Sequence, residues 1–175
     1  GDPVSVHSEH TGMNDEVWPA QETIKYVIPG TQYTASSLPI SWYDGGRRPD
    51  SRIAKLLPGQ SLPNGGSIFV GQKGNMILPH YSLPFVNIEG VNIEPVESLD
   101  HYHGWVDGCL SGKQPTDGFE YGGHLTEAVQ LGNVAAFFPG ETLEFDGKAL
   151  KITNNSEANK YLTRDYRTGF EIASI

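Results

Sequence analysis

A single cysteine, two methionines and a shortage of bases mark this chain of 175 residues, and each scarcity removes a class of reading. One thiol, Cys109, can form neither an internal disulfide nor a cysteine-based zinc site. Its place among apolar residues at helical spacing predicts a buried small side chain rather than a nucleophile. No apolar run approaches the roughly 18 residues of a membrane-spanning helix, so a membrane is not an expected partner. No stretch reads as a secretory or lipidation signal. Bases are scarcest where acids gather: from Glu89 to Asp146 there are 11 Asp and Glu against Lys113 alone. That segment repels a phosphate backbone, which argues against nucleic acid as a partner. The Arg47, Arg48, Arg52, Lys55 cluster is short, is interrupted by Asp50, and reads as solvated surface. Phosphate loops are missing too: no G-x-G-x-x-G follows a strand and no G-x4-G-K-[ST] occurs. Gly71-Gln72-Lys73-Gly74 lies between two strands, where no helix N-terminus can meet a phosphate.

What the chain has in abundance is glycine (21) and proline (12), which predict many turns and short elements. Period-two alternation predicts strands over 4–10, 23–28 and 38–44. Residues 67–71 and 75–78 read as a hairpin around Gly74, and 85–88 as a sixth strand. A brief helix is expected between Pro49 and Leu57, ended by Pro58-Gly59. Then the period changes. Ser98 is the expected cap of a helix with Leu99, Tyr102, Val106, Cys109 and Leu110 on one face, ended by Gly112. A second helix runs from Phe119 to Ala136, with Leu125, Ala128, Val129, Gly132, Ala135 and Ala136 recurring on one face. Gly132 costs about 1 kcal/mol relative to Ala there, so something is expected to press against it. Residues 143–145 and 150–153 bracket Asp146-Gly147 as a hairpin. A last helix is expected from Glu157 to about Tyr166, capped by Asn155 or Ser156. Strands first and helices later predict an α+β fold, a largely antiparallel sheet with helices packed on one face. With no linker at which to cut, residues 1–175 read as a single domain.

Several chemistries are excluded by spacing. His101 and His103 sit two apart in a helix, roughly 200° around it, and cannot share a metal. Asp100 with His103, or His103 with Asp107, could form a ligand pair, but a pair is not a metal site. His7 and His10 point to opposite faces of a strand. G-x-S-x-G is absent, so no nucleophile elbow is expected. The informative stretch is Trp42-Tyr43-Asp44-Gly45-Gly46-Arg47, where a strand ends in two glycines that let the backbone turn or approach a ligand. Aromatics beside a carboxylate suit a sugar: ring faces stack and the carboxylate accepts hydroxyl hydrogen bonds. An ordinary strand-end turn is the alternative. His80-Tyr81 after the fifth strand is similar, and Asn14-Asp15-Glu16 is a polar turn.

Taken in order, these pieces resemble the C-terminal domain of bacterial oxidoreductases of the glucose–fructose oxidoreductase and inositol dehydrogenase group (Gfo/Idh/MocA). The matching blocks begin with Asn14-Asp15-Glu16, Trp42-Tyr43-Asp44-Gly45-Gly46, Gly71-x-x-Gly74 and Pro79-His80-Tyr81. They continue with His101-Tyr102-x-x-Trp105 and Val106, Asp107 and Cys109, then Phe119-x-Tyr121-x-x-x-Leu125-Thr126-Glu127 and Leu131-Gly132-Asn133-Val134. Leu150-Lys151-x-Thr153-Asn154, Glu157-Ala158-Asn159 and Tyr166-Arg167-x-Gly169 close the set. Each block is short; the ordered set spans about residues 4–170.

The resemblance implies a two-domain parent in which an N-terminal Rossmann domain binds NAD or NADP. The C-terminal domain would line the substrate pocket and form a homo-oligomer through its sheet. Substrates would be sugars, polyols or derivatives; some relatives use NAD for glycosidic cleavage instead. This chain lacks the Rossmann half and the family's Glu-Lys-Pro segment, so it carries no cofactor residues and is expected to be inert alone. Trp42 and Tyr43 would then shape an apolar wall, with Tyr81 near it. Asp44 would accept hydroxyls, and Arg47 or His80 would steer a polar substituent. The rival reading is a free-standing carbohydrate-binding or interaction module. An apolar, unpaired sheet face would favour the enzyme half, and exposed aromatics near Trp42 the module.

Overall fold

The computed structural model describes residues 2–54, 59, 61–97 and 100–172. In chain order its elements are β1 (Ser5–His10), β2 (Glu22–Pro29), β3 (Ser37–Asp44), α1 (Ser51–Ala54), β4 (Gly66–Val70), β5 (Asn75–Pro79) and β6 (Phe85–Val86). There follow α2 (His101–Ser111), α3 (Phe119–Ala136), β7 (Thr142–Asp146), β8 (Lys151–Ile152) and a 3-10 turn, Ala158–Tyr161. The fold is α+β with antiparallel strands throughout, as the sequence predicts. The strands divide between a five-stranded sheet, ordered β3-β2-β1-β7-β8, and a three-stranded one, β4-β5-β6. The chain forms two compact units, one from the segments up to Arg48 and from Thr116 onward, the other from Pro49–Pro115.

In the first unit, β1 pairs antiparallel with β2 and with β7, and β2 with β3. Alternation sends Val6, Ile24, Tyr26, Leu143 and Phe145 to one face, where all are buried. The last six residues of α3 lie against that face. Leu131, Gly132, Val134, Ala135 and Ala136 are buried there, and Ile152 and Ala158 close the core. Burying a side chain such as Leu131, Leu143 or Val6 is worth about 1.5–3 kcal/mol each. At Gly132 helix and sheet approach closely. An added Cβ would stand 2.3 Å from Tyr26 Oη and 2.8 Å from Ile24 Cδ1. The expected pressure on this glycine is present.

Other expectations need correction. Leu125 and Val129 are exposed although they share the helical face of Gly132, because only the C-terminal end of α3 rests over the sheet. In the second unit, α2 buries none of its described residues, and Cys109 is exposed rather than packed away. Caps hold α2 instead: Asp100 Oδ1 accepts from His103 N (2.8 Å), and Gly112 stands in the left-handed region at φ 66°. The expected cap Ser98, the face residue Leu99, and Lys55–Pro58 lie outside the described residues. The last helix shrinks to the 3-10 turn. Its N-cap is Glu157, with no side-chain cap bond; the expected Asn155 stands two residues earlier, its Oδ1 accepting from Glu157 N (3.0 Å) and Ala158 N (3.1 Å).

Two asparagines stand in for strand that is missing beside β7 and β8. Asn154 Oδ1 accepts from Glu144 N (2.9 Å) while its Nδ2 donates to Thr142 O (2.8 Å). Asn159 treats Ile152 the same way, accepting from its N and donating to its O, both at 2.8 Å. Each amide thereby satisfies a backbone donor and acceptor of a strand.

Candidate functional site

Strand β3 is an edge strand whose end carries three of the expected site residues, with a fourth, Arg47, just beyond the turn that follows it. Trp42 pairs with Ile24, Tyr43 with Thr23 and Asp44 with Glu22. Neighbours along a strand point to opposite faces. Trp42 and Asp44 therefore share the face of Ile24 and Glu22, while Tyr43 lies on the other. One wall cannot use both rings. Trp42 is 52% exposed and Asp44 is exposed, so both reach solvent from the same face.

The two glycines after Asp44 serve the backbone. Gly45 and Gly46 have φ of 63° and 84°, and Arg47 N donates to Asp44 O (3.1 Å), closing a tight turn. A Cβ on Gly45 would lie 1.9 Å from Ala20 O, so the turn also needs the space. Asp44 Oδ1 accepts from Gly45 N. Arg47 donates through Nη1 to Glu9 O (2.9 Å) and to Thr23 Oγ1 (3.1 Å). That guanidinium nitrogen is spent on pinning the turn to β1 and β2.

Register brings in a residue the sequence reading passed over. Glu22 is buried, accepts from Ser8 Oγ at 2.6 Å, and lies across from Asp44 on the same face. Burial, with the Glu22 carboxylate second, pushes the Tyr26 hydroxyl up to about 12. Glu22 has the parity of Ile24 and Tyr26, so its inward direction could have been read from the alternation; its pairing with Asp44 could not. His10 joins the row beyond Glu22, with Nε2 at 2.9 Å from Ala136 O and Nδ1 accepting from Gly12 N.

The opposite sheet face is polar. Glu9 meets Lys25 Nζ at 2.9 Å and His7 Nε2 at 3.2 Å, with Thr23, Thr142 and Glu144 alongside. The hydrogen bond from Lys25, reinforced by His7, lowers the Glu9 carboxyl below its usual range. Tyr43 stands among these polar groups, and in the second unit the β4-β5-β6 sheet exposes Phe69, Val70, Leu78 and Phe85, so both an apolar sheet surface and an exposed aromatic at Trp42 are present.

His80 and Tyr81 belong to the second unit. There a shallow recess of about 260 Å³ is lined by Pro63, Asn64, Gly65, Pro79, His80, Tyr81 and Ser82. Gly65 makes room for the imidazole, since its Cβ would fall 2.8 Å from His80 Nδ1. Tyr81 is fully exposed and meets His80 edge-on, with centroids 6.2 Å apart. Asp100 and His103 do pair (3.3 Å), but no group of three or more metal-ligating side chains occurs among the described residues. Gly71 N donates to Gly74 O (3.0 Å) in the β4–β5 hairpin, a turn with no helix behind it and so no fit for a pyrophosphate. No helix among the described residues is long and apolar enough to cross a membrane. Comparison with protein-family models and with curated proteins gives no match.

Proposed function

We propose that this chain is the substrate-side domain of an NAD(P)-dependent oxidoreductase acting on a sugar, polyol or derivative. The observation that carries the reading is α3 seated on an antiparallel sheet with Gly132 against Ile24 and Tyr26. It supports the architecture that the ordered sequence blocks call for. In this role Trp42 offers an apolar surface to the carbon face of the substrate, and Asp44, backed by Glu22, accepts its hydroxyl hydrogen bonds. Arg47 fixes the turn that aims Asp44. A nucleotide-binding half would supply NAD or NADP and with it the hydride chemistry; these residues bind and orient. Association of subunits through the sheet would use its polar face.

The test is to express the chain with its upstream coding sequence and follow thermal unfolding with NAD(H) and NADP(H). A cofactor at 100 times its dissociation constant adds about 2.7 kcal/mol, and each kcal/mol moves the midpoint by roughly 2–4 °C. A shift, followed by cofactor reduction with a polyol and a raised KM in Asp44→Asn, is the expected result. No shift with either cofactor overturns the reading. The half-exposed Trp42 favours a second one, a carbohydrate-binding module, for which the 175 residues would bind sugar with no cofactor effect in the longer protein.

A further inference from the structure

Four aromatic rings meet where the loop after β1, the end of α3 and the 3-10 turn come together. Trp18 packs edge-on against Phe137, with centroids 5.7 Å apart and planes at 70°. Phe137 stacks on Tyr161 at 4.3 Å and 21°, and Phe138 meets Tyr161 edge-on at 5.8 Å. Phe138 packs on the core and anchors the group. The other three face water: Trp18 is 54% exposed, Phe137 39% and Tyr161 48%.

These rings are positioned before any ligand arrives. Asn14 Oδ1 accepts from Glu16 N (2.9 Å) and Val17 N (3.0 Å), fixing the turn that delivers Trp18. The contact of His10 Nε2 with Ala136 O ties β1 to the end of α3 beside Phe137. A surface ordered in advance costs little entropy on binding. Its neighbours select the ligand. Asp15 and Glu16, both exposed, stand in the turn that leads through Val17 to Trp18, Lys160 beside Tyr161 is paired with Glu157, and the chain carries a net charge of −9. Carboxylates there repel an anion, and repel their own copies across a two-fold axis. A neutral sugar or cyclitol meets no such penalty: its carbon face stacks on an aromatic ring and its hydroxyls donate to carboxylates.

We propose that the Trp18–Phe137–Tyr161 ladder is a stacking surface for a neutral sugar or cyclitol ring, a second carbohydrate contact beyond the end of β3. It needs no nucleotide-binding half.

The experiment uses the 175-residue chain with Trp42 and Trp105 replaced by Phe, leaving Trp18 as the only indole emitter. Fluorescence is titrated with myo-inositol, glucose and a linear glucose pentasaccharide. A saturable change with a dissociation constant of about 1–10 mM for single rings is expected. Calorimetry on the otherwise unaltered chain should show binding lost in Trp18→Ala and weakened about tenfold in Tyr161→Leu. Tyr161→Leu keeps apolar volume, so it reports even if Trp18→Ala unfolds. Lys148→Ala, an exposed position outside both sites, should leave this binding intact, and binding without any nucleotide present separates it from the cofactor-dependent reading. No response up to about 100 mM of any probe, or binding indifferent to both aromatic variants, overturns the proposal. So does dimerisation that Trp18→Ala abolishes while the sugars have no effect, because a second copy would then cover the rings.

Discussion

Replacing Gly132 by Ala puts two known effects in opposition. Alanine gains about 1 kcal/mol over glycine inside a helix. Against that, the new Cβ would stand 2.3 Å from Tyr26 Oη and 2.8 Å from Ile24 Cδ1. The Ile24 methyl is a chain tip and can turn aside. The Tyr26 oxygen ends a rigid ring on a buried residue, so ring, strand or helix must move. Overpacking of this kind costs about 1–3 kcal/mol, leaving a net loss of about 0–2 kcal/mol, and Gly132→Leu should lose more. Tyr26→Phe removes the offending oxygen, and the nearest ring carbon then sits at 3.4 Å, ordinary contact. In that background Gly132→Ala should be neutral or stabilising, a coupling of about 1–2 kcal/mol. Urea unfolding of the four proteins measures it. A gain of about 1 kcal/mol in both backgrounds would mean propensity alone operates and would refute the close approach.

Three further outcomes are expected. Asp100→Ala removes the N-cap of a helix with no buried described residue, so α2 should lose about 0.5–2 kcal/mol and exchange its amide hydrogens faster; unchanged exchange would count against the cap. Asn159→Ala strands both the N and the O of the buried Ile152, and should cost about 1–3 kcal/mol by urea titration; a loss within the error of the fit would show that water replaces the amide. The Glu127 carboxyl is raised by burial first and by Asp2 second, so its protonated form is favoured in the folded state. Stability from this group is therefore gained as pH falls through the raised value and is absent above it. Glu127→Gln should raise the neutral-pH midpoint slightly, by no more than about 0.5 kcal/mol at this exposure, and remove the gain on acidification; an unaltered pH profile would contradict it.

Alternation and helical spacing carried most of the local structure. The strands at Val4–His10, Thr23–Ile28 and Leu38–Asp44 and the helix Phe119–Ala136 appear within a residue or so of where the pattern puts them. Spacing reports that residues share a side, not that anything covers it. Leu125 and Val129 share a side with Gly132 yet lie over no strand, and α2 carries an apolar periodicity with no buried described residue. The last helix fails for a chemical reason: the Asn159 side chain is bonded to Ile152 and Asn155, which favours a tight turn over a continuing helix. At the candidate site, Trp42 and Asp44 could be picked out as residue types at a strand end. Their partner Glu22 became visible only through cross-strand register. Trp18, Phe137 and Tyr161 come from three segments far apart in sequence, and no local pattern joins them.

The asparagine at 159 is one of two places where a change of a single side-chain atom would tell on this fold. An amide can face Ile152 with a donor and an acceptor at once because its two ends differ. Hydrolytic loss of ammonia turns that side chain into a carboxylate, which can only accept. The nitrogen that donated to Ile152 O and Asn155 O becomes a negatively charged oxygen facing two carbonyls. No backbone bond is cut and no bulk is added, yet attraction becomes repulsion where β8 joins the 3-10 turn. Age, heat or alkali could then loosen the C-terminal segment of this protein without any change in its gene.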